Sequence, residues 1–148
     1  MMDTYEIRPA RTDDLEPATA LLSESKLPLA GFAEHLADAL VATREGRVVG
    51  VVELELYGRA ALLRSLVVAP SERGARLGER LAAGAMRLAE DRGIGDVYLL
   101  TETAERFFPR FGFEIEERRL APEALKRSEE FKTACPESAV MMHARLGR

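Results

Sequence analysis

Residues 66–81 read LVVAPSERGARLGERL and join two patterns of different period. An apolar run typical of a buried strand ends at Pro70, and helix-forming residues begin at Leu77. Glycines let a backbone close around a ligand, and the free N–H groups at a helix N-terminus attract anions. The junction therefore predicts a phosphate-binding turn, and an ordinary strand–helix turn with solvated arginines is the alternative. The residues behind both readings are Arg73, Gly74, Arg76, Gly78 and Arg80.

Two common phosphate-binding motifs do not fit this junction. It lacks the G-x-x-x-x-G-K-[ST] of P-loop proteins and the G-x-G-x-x-G of dinucleotide-binding βαβ units. Residues 71–80 carry three arginines against two glutamates, in a chain whose net charge is −4. An anion site must therefore be local, and the acidic balance disfavours nucleic acid as the main partner.

The composition predicts one soluble domain over residues 1–148. Of the 148 residues, 47% are hydrophobic and 31% are charged. The single cysteine excludes an internal disulfide, which favours a cytoplasmic location. We expect no membrane association, because neither a signal peptide nor an apolar run near ~20 residues is present. We also expect no metal site, because His35 and His143 lack ligand spacing.

Hydrophobic period predicts alternating strands and helices on both sides of the junction. Strands are predicted at 5–9, in a meander over 40–70, and at 97–100, 113–118 and 139–146. Helices are predicted at 15–25, 32–40, 77–92, 103–111 and 121–131. This order predicts an α+β domain with helices on both faces of the sheet.

Two segments of the chain resemble signatures of the GNAT superfamily of N-acetyltransferases. The acetyl-CoA motif, L-x-V-x-P followed by [RQ]-x-x-G-x-[GA], is matched by Leu66, Val68, Pro70, Arg73 and Gly78. Arg76 departs from it, because the family usually has glycine there. The second signature, A-x-x-F-[YF]-x-x-x-G-F, is matched by Ala104, Phe107, Phe108, Gly112 and Phe113. The resemblance implies a GNAT-like mixed, mostly antiparallel central sheet of about six to seven strands.

The resemblance also implies how acetyl-CoA would bind as co-substrate. The strand ending at Val68 and the strand at 97–100 would splay apart, with pantetheine between them. Backbone groups of Leu66 and Val68 would pair with its amides, and N–H groups over residues 73–78 would hold the pyrophosphate. The expected cofactor-binding residues are Leu66, Val67, Val68, Arg73, Gly74, Ala75, Arg76, Leu77, Gly78, Thr103, Phe107 and Phe108.

Two longer segments of the sequence narrow the resemblance to particular groups within the superfamily. LLTETAERFFPRFGF is similar to a segment of N-acetylglutamate-synthase-type domains, and APEALKRSEEFKTACPESAVMM resembles small amino-acid N-acetyltransferases of arsenic-resistance operons. These imply transfer to the amine of a small amino acid or a like compound, such as an organoarsenical or glutamate-like one. A protein N-acetyltransferase and a catalytically silent acyl-CoA-binding module are the alternatives. A homodimer is allowed, because exposed sheet edges invite pairing.

Several residues are candidates for the transfer chemistry. Glu53 and Glu55 share one face of a strand that the pattern predicts to be central, and they are the candidates for the general base. A solvated polar face is the alternative. The backbone N–H near Val68 is expected to stabilise the oxyanion, because the family's strand bulges there. Phe108 occupies the position of a tyrosine that often protonates the leaving thiolate, so that acid is missing. Water or a nearby hydroxyl would then deliver the proton, and the candidate hydroxyls are Thr101, Thr103 and Tyr98.

Arg64 is conspicuous because it lies inside an apolar strand. A buried arginine requires an anion, which the carboxylate of an amino-acid substrate would supply. The alternative is an internal salt bridge to Glu53 or Glu55 on the neighbouring strand. Ser65 and Thr101 are expected to contact the substrate beside Arg64.

Overall fold

A seven-stranded sheet forms the centre of the computed structural model, which describes residues 4–134 and 138–146. Cys135 therefore lies outside the described residues. The strands are β1 Glu6–Pro9, β2 Ala39–Arg44, β3 Arg47–Tyr57, β4 Ala60–Val68, β5 Asp96–Thr101, β6 Glu114–Glu116 and β7 Val140–Arg145. Their spatial order is β1-β2-β3-β4-β5-β7-β6, and each neighbouring pair is antiparallel except β4 with β5. The predicted mixed, mostly antiparallel sheet is confirmed.

Two α-helices cover opposite faces of the sheet. Helix α1 spans Leu15–Glu24 and α2 spans Leu77–Asp91. Successive strand residues point to opposite faces, so Val51 packs with α1 while Val52 packs with α2. Helices on both faces were predicted, and the structure confirms them. Among the helices of the described chain, none is long and apolar enough to cross a membrane.

Three of the predicted helices are wrong in type. The segment 32–40 forms a 3₁₀ helix at Ala33–Asp38, because the residues from Ala39 onward pair with β3 instead. The segment 103–111 forms a 3₁₀ turn only at Phe108–Phe111, since Pro109 has no N–H for a helical hydrogen bond.

The third wrong helix lies at 121–131. It is replaced by a 3₁₀ turn at Leu125–Arg127 and a π turn at Glu130–Ala134. Between them the Ser128 hydroxyl accepts the backbone N–H groups of Glu130 and Phe131 at 3.2 and 3.4 Å. A serine that bonds local backbone in this way competes with a continuous α-helix.

The parallel ladder between β4 and β5 is short and is followed by a bulge in β4. It pairs residues 60–62 with 96–98. Beyond it, Glu53 pairs with Arg64 but Val51 pairs with Val67, so two residues of β4 oppose one of β3. Ser65 at this bulge has φ 64°, a left-handed conformation that serine adopts at a cost. The bulge expected near Val68 therefore lies at residues 65–66.

Candidate active site

A cavity of about 200 Å³ lies where β4 and β5 separate, and we call it the wedge cavity. Its wall is formed by residues 63–66 of β4, residues 99–101 of β5, and Leu27, Pro28, Thr103, Ala104, Phe107, Phe108 and Glu130. Arg64, Ser65 and Thr101, which the sequence predicted as substrate residues, thus share one wall. The short ladder and the bulge create this opening, because paired strands would leave no room for it.

A second cleft, of about 340 Å³, adjoins the wedge cavity. Leu27, Leu66 and Phe107 line both spaces. The rest of the cleft is lined by Ser25, Val67, Val68, Arg73 and Gly78. The strand–helix junction and the wedge therefore open onto neighbouring spaces, as a long ligand that spans both would need.

The junction turn has the backbone shape that glycine favours at two positions. Gly74 has φ 99°, and Arg76, the N-cap residue of α2, has φ 59°. This conformation is a physical reason for the glycine that the resembled motif has at position 76, because an L-residue pays roughly 1–2 kcal/mol there. The Arg76 side chain is exposed and its Nη2 lies 3.0 Å from Glu79 Oε1. A Cβ added at Gly78 would make only an ordinary van der Waals contact, with Phe107 at 3.9 Å, so this position is not crowded.

A buried carboxylate that sequence reasoning missed anchors the start of this turn. Glu72 accepts hydrogen bonds from the Tyr5 hydroxyl at 2.7 Å and from Arg44 Nη1 at 2.9 Å. The Tyr5 hydrogen bond, with help from Arg44, lowers the pKa of the Glu72 carboxyl despite burial. The turn is therefore tied to the β1–β2 edge of the sheet. Arg73 itself is exposed, and its Nε donates to the Val68 carbonyl at 3.3 Å.

Arg64 is fully buried and is paired within the protein. Its Nη1 donates to Glu55 Oε2 at 2.7 Å and to the Ala30 carbonyl at 2.7 Å. Its Nη2 donates to the Pro28 carbonyl at 3.1 Å. Its Nε lies 3.1 Å from Ser65 Oγ and 3.2 Å from Glu130 Oε1. The internal salt bridge that the sequence left open is thus present, and binding of a substrate carboxylate by Arg64 stays a prediction.

Glu53 and Glu55 are both buried, so the solvated polar face is wrong. Burial alone would raise the pKa of Glu55, but hydrogen bonds from Tyr57, Arg64 and Ser128 outweigh it and lower that pKa. Burial raises the pKa of Glu53 to about 9, and neither of its oxygens has a hydrogen-bond partner among the described residues. Glu55 is therefore ionised at neutral pH and Glu53 is protonated. Neither belongs to the described wall of the wedge cavity, so their placement does not support a role as general base.

The acidic side chain on the cavity wall is Glu130, which sequence reasoning did not select. It is 4% exposed, and burial raises the pKa of its carboxyl to about 7 although Arg64 lies beside it. In the sequence it stands in RSEEFK, a run that is indistinguishable from a solvated surface. Its contact with Arg64 places it in the site, and the sequence does not show this contact because Arg64 comes from a strand in the first half of the chain.

The remaining predicted residues line the cavity in different ways. Thr101 Oγ accepts the Ala104 N–H at 2.9 Å, so this hydroxyl shapes the turn after β5. Thr103 is exposed at the rim. Phe108 is 5% exposed and packs edge-on against Phe113, so the position of the family's tyrosine is an apolar part of the wall.

Comparison with known proteins agrees with this geometry. A family model described as "Acetyltransferase (GNAT) domain" matches residues 35–115. An N-acetyltransferase of Chlorobaculum tepidum, described as uncharacterized and named CT2212, is 30% identical over 112 residues, which cover 75% of this chain and 70% of that protein.

Two solved structures share the fold. N-acetylglutamate synthase from Neisseria gonorrhoeae, crystallised with coenzyme A and N-acetyl-glutamate, has a TM-score of 0.83 at 21% identity. The match covers 100% of this chain and 36% of the synthase chain, so this chain spans about a third of that protein. Rv2747 from Mycobacterium tuberculosis, also crystallised with coenzyme A, has a TM-score of 0.81 at 23% identity over 96% of this chain and 99% of its own. Because the family model covers more than half of its length, the chain belongs to the GNAT family of acetyltransferases.

Proposed function

We propose that this protein transfers the acetyl group of acetyl-CoA to the amine of a small amino acid or an amino-acid-like compound. The observation that carries the proposal is the pair of adjoining spaces, one at the junction turn and one in the wedge between β4 and β5. The first suits the pyrophosphate and the second suits the reacting thioester and the acceptor. Acetyltransferase activity follows from family membership, and the acceptor class is our proposal.

The residues of the turn fit the pyrophosphate of acetyl-CoA. Gly78 lines the second cleft, the α2 N-terminus presents unpaired N–H groups, and Arg73 is exposed beside them. The backbone of β4 beyond residue 62 lies past the end of its ladder with β5, which suits pairing with pantetheine amides. The proposed donors to the oxyanion are the backbone N–H groups of the bulge at 65–66 and the N–H of Val68, which the sequence favoured.

The acceptor side of the wedge is small. About 200 Å³ is less than the roughly 300 Å³ at which pockets for drug-sized ligands begin. Leu27, Pro28 and Glu130 form part of its wall. This size favours a small amine over a folded protein substrate. The resemblance to the amino-acid N-acetyltransferases of arsenic-resistance operons supports an amino-acid-like acceptor.

The leaving thiolate needs little help at neutral pH. A thiol pKa near ~8.5 makes thiolate a tolerable leaving group without full protonation. Phe108 therefore does not prevent turnover, and solvent or the Thr103 hydroxyl at the rim would supply the proton. A homodimer, a cytoplasmic location, and the absence of metal, membrane and nucleic-acid partners stay predictions.

Calorimetry with acetyl-CoA, followed by an amino-acid panel with detection of free thiol, tests the proposal. We expect binding and turnover with at least one amino acid. Turnover with peptide N-termini alone would point to a protein N-acetyltransferase, and tight binding without turnover would point to an acyl-CoA-binding module.

The placement of the pyrophosphate has its own test in Arg73→Glu. This variant should bind acetyl-CoA at least ten-fold more weakly, which is about the ~1.5–3 kcal/mol of one charge-assisted hydrogen bond. Unchanged affinity in the folded variant would reject the junction as the pyrophosphate site.

A further inference from the structure

We propose that Glu130 is the general base that removes a proton from the acceptor ammonium in the wedge cavity. This inference rests on the proposed acetyl transfer and assigns a residue that the family signatures in this sequence do not contain. A base must lie within hydrogen-bond reach of the acceptor nitrogen, and among the described residues of the cavity wall Glu130 supplies the carboxylate.

Glu130 is held in place by one contact of its carboxylate and one of its backbone. Its Oε1 lies 3.2 Å from Arg64 Nε, and Arg64 is itself fixed by Glu55 and by the Pro28 and Ala30 carbonyls. Its backbone N–H donates to Ser128 Oγ, a residue that is 2% exposed. The carboxylate therefore occupies a defined position against the wall.

The charges that face Glu130 make it a base suited to neutral pH. From β4, Arg64 favours its ionised form, while Glu55 on β3 opposes it. Glu53 on β3, protonated at neutral pH, lies behind Arg64, with its Oε1 3.8 Å from Arg64 Nε. Residues 28–31, which cover Arg64, carry no titratable side chain. Burial outweighs the effect of Arg64 and raises the pKa of Glu130 to about 7. A general base is most efficient when its pKa lies near the pH at which the enzyme operates.

The proton balance of the step is simple. The acceptor R–NH₃⁺ gives one proton to the Glu130 carboxylate, and the freed lone pair forms the N–C bond to the acetyl carbon. The C–S bond then breaks, and the electron pair leaves on sulfur. The second proton of the nitrogen goes to the thiolate or to solvent, and Glu130 returns its own proton to solvent. When Glu130 is protonated Arg64 keeps Glu55 as its counter-ion, so the cluster stays balanced.

The test compares Glu130→Gln with Glu129→Gln. Glu129 is the adjacent residue of the same charge, and its side chain is 54% exposed. Each variant is assayed with two nucleophiles: the fastest amino acid of the panel, which is protonated at neutral pH, and hydroxylamine, which is largely unprotonated there. A base is needed for the first nucleophile and is dispensable for the second.

We expect Glu130→Gln to slow transfer to the amino acid by at least ~100-fold, in line with the usual contribution of a general base. Transfer to hydroxylamine should stay within a few-fold of wild type, and acetyl-CoA affinity should be unchanged. The wild-type rate with the amino acid should fall as the pH drops below about 7, because Glu130 becomes protonated. In Glu130→Gln the part of this fall that is due to Glu130 should be absent from the pH–rate profile. Glu129→Gln should match wild type in every assay.

Several results would overturn the inference. Equal losses with both nucleophiles would mean that Glu130 only supports the fold, and a wild-type rate in Glu130→Gln would remove its role altogether. If Glu130→Gln does not fold, Glu130→Asp replaces it, because that change retains a carboxylate but withdraws it from the cavity. A ten-fold preferential loss for the amino acid in Glu130→Asp would support the inference, and equal losses would overturn it. A wild-type protein that binds acetyl-CoA but acetylates no amine would overturn the proposed function, and the role of Glu130 as a general base would fall with it.

Discussion

The two faces of the central sheet are built from alternate residues of the same strands and differ in chemistry. Under α2 the core is continuous and apolar, with Leu54 and Leu63 of β3 and β4 packed against the helix. On the opposite face one apolar cluster lies under α1 and another under residues 121–131. Strand alternation places Glu53, Glu55 and Arg64 on this second face. The α2 face thus contributes apolar packing, whereas the other face contains ionisable groups that are costly to bury, and one of them, Arg64, lines the wedge cavity.

Arg64→Lys should produce the largest effect on this second face. Lysine keeps the charge but loses the planar fork that reaches Glu55, Glu130 and two carbonyls at once. We expect the free energy of unfolding to fall by at least the ~1.5–3 kcal/mol of one charge-assisted hydrogen bond. Thermal and urea unfolding measure this loss.

The matched control for Arg64→Lys is Leu54→Ala, which lies between Glu53 and Glu55 but points toward α2. It should cost about 2–5 kcal/mol through the cavity it leaves. If Arg64 serves only its internal ion pairs, both folded variants should keep the wild-type preference for an amino acid over its amide. If Arg64→Lys instead kept full stability and lost that preference, the guanidinium would bind the substrate carboxylate, as the sequence alone suggested.

The contrast between the faces also marks what could be predicted from the sequence. The β2–β4 meander and the strand–helix junction are local patterns, since alternation and glycine spacing are read within short windows of sequence. Glu53 and Glu55 were correctly placed on one face, but an alternating strand looks the same whether its polar face is wet or buried. That face is covered by residues 28–31 and by residues 128–130, and both segments are distant in the sequence from Glu53 and Glu55. Glu130 was therefore missed, because nothing local distinguishes it from its exposed neighbour Glu129.

Glu53→Gln should have the next largest effect, and it depends on pH. The native carboxyl, with a pKa of about 9, binds its proton more tightly than the unfolded chain does, at a pKa near ~4.3. Unfolding therefore releases a proton between these values, and a rise in pH favours the unfolded state. The slope attributable to Glu53 is at most about 1.4 kcal/mol per pH unit.

The cleanest window for Glu53 lies between about pH 8 and 9, because Glu130, with a pKa of about 7, is only half ionised at pH 7 and largely ionised about one pH unit higher. Over this range the wild-type free energy of unfolding should fall, and in Glu53→Gln the fall should be smaller. Glu129→Gln is the control and should retain the wild-type slope. Identical slopes in all three proteins would mean that Glu53 is already ionised in the native state.

Arg76→Gly should have the smallest effect and bears on the other end of the site. Arginine at φ 59° pays roughly 1–2 kcal/mol, whereas glycine adopts this conformation freely but loses about 0.5–1 kcal/mol through its more flexible unfolded chain. The exposed pair with Glu79 adds little. The free energy of unfolding should therefore change by no more than about 1.5 kcal/mol. If backbone N–H groups hold the pyrophosphate, acetyl-CoA affinity measured by calorimetry should stay within a few-fold of wild type. Arg76→Ala separates the two causes, because it retains the strained φ and removes the charge. A ten-fold loss of affinity in both variants would show that the Arg76 side chain contacts phosphate, and that this chain has exchanged the family's glycine for an additional cationic ligand.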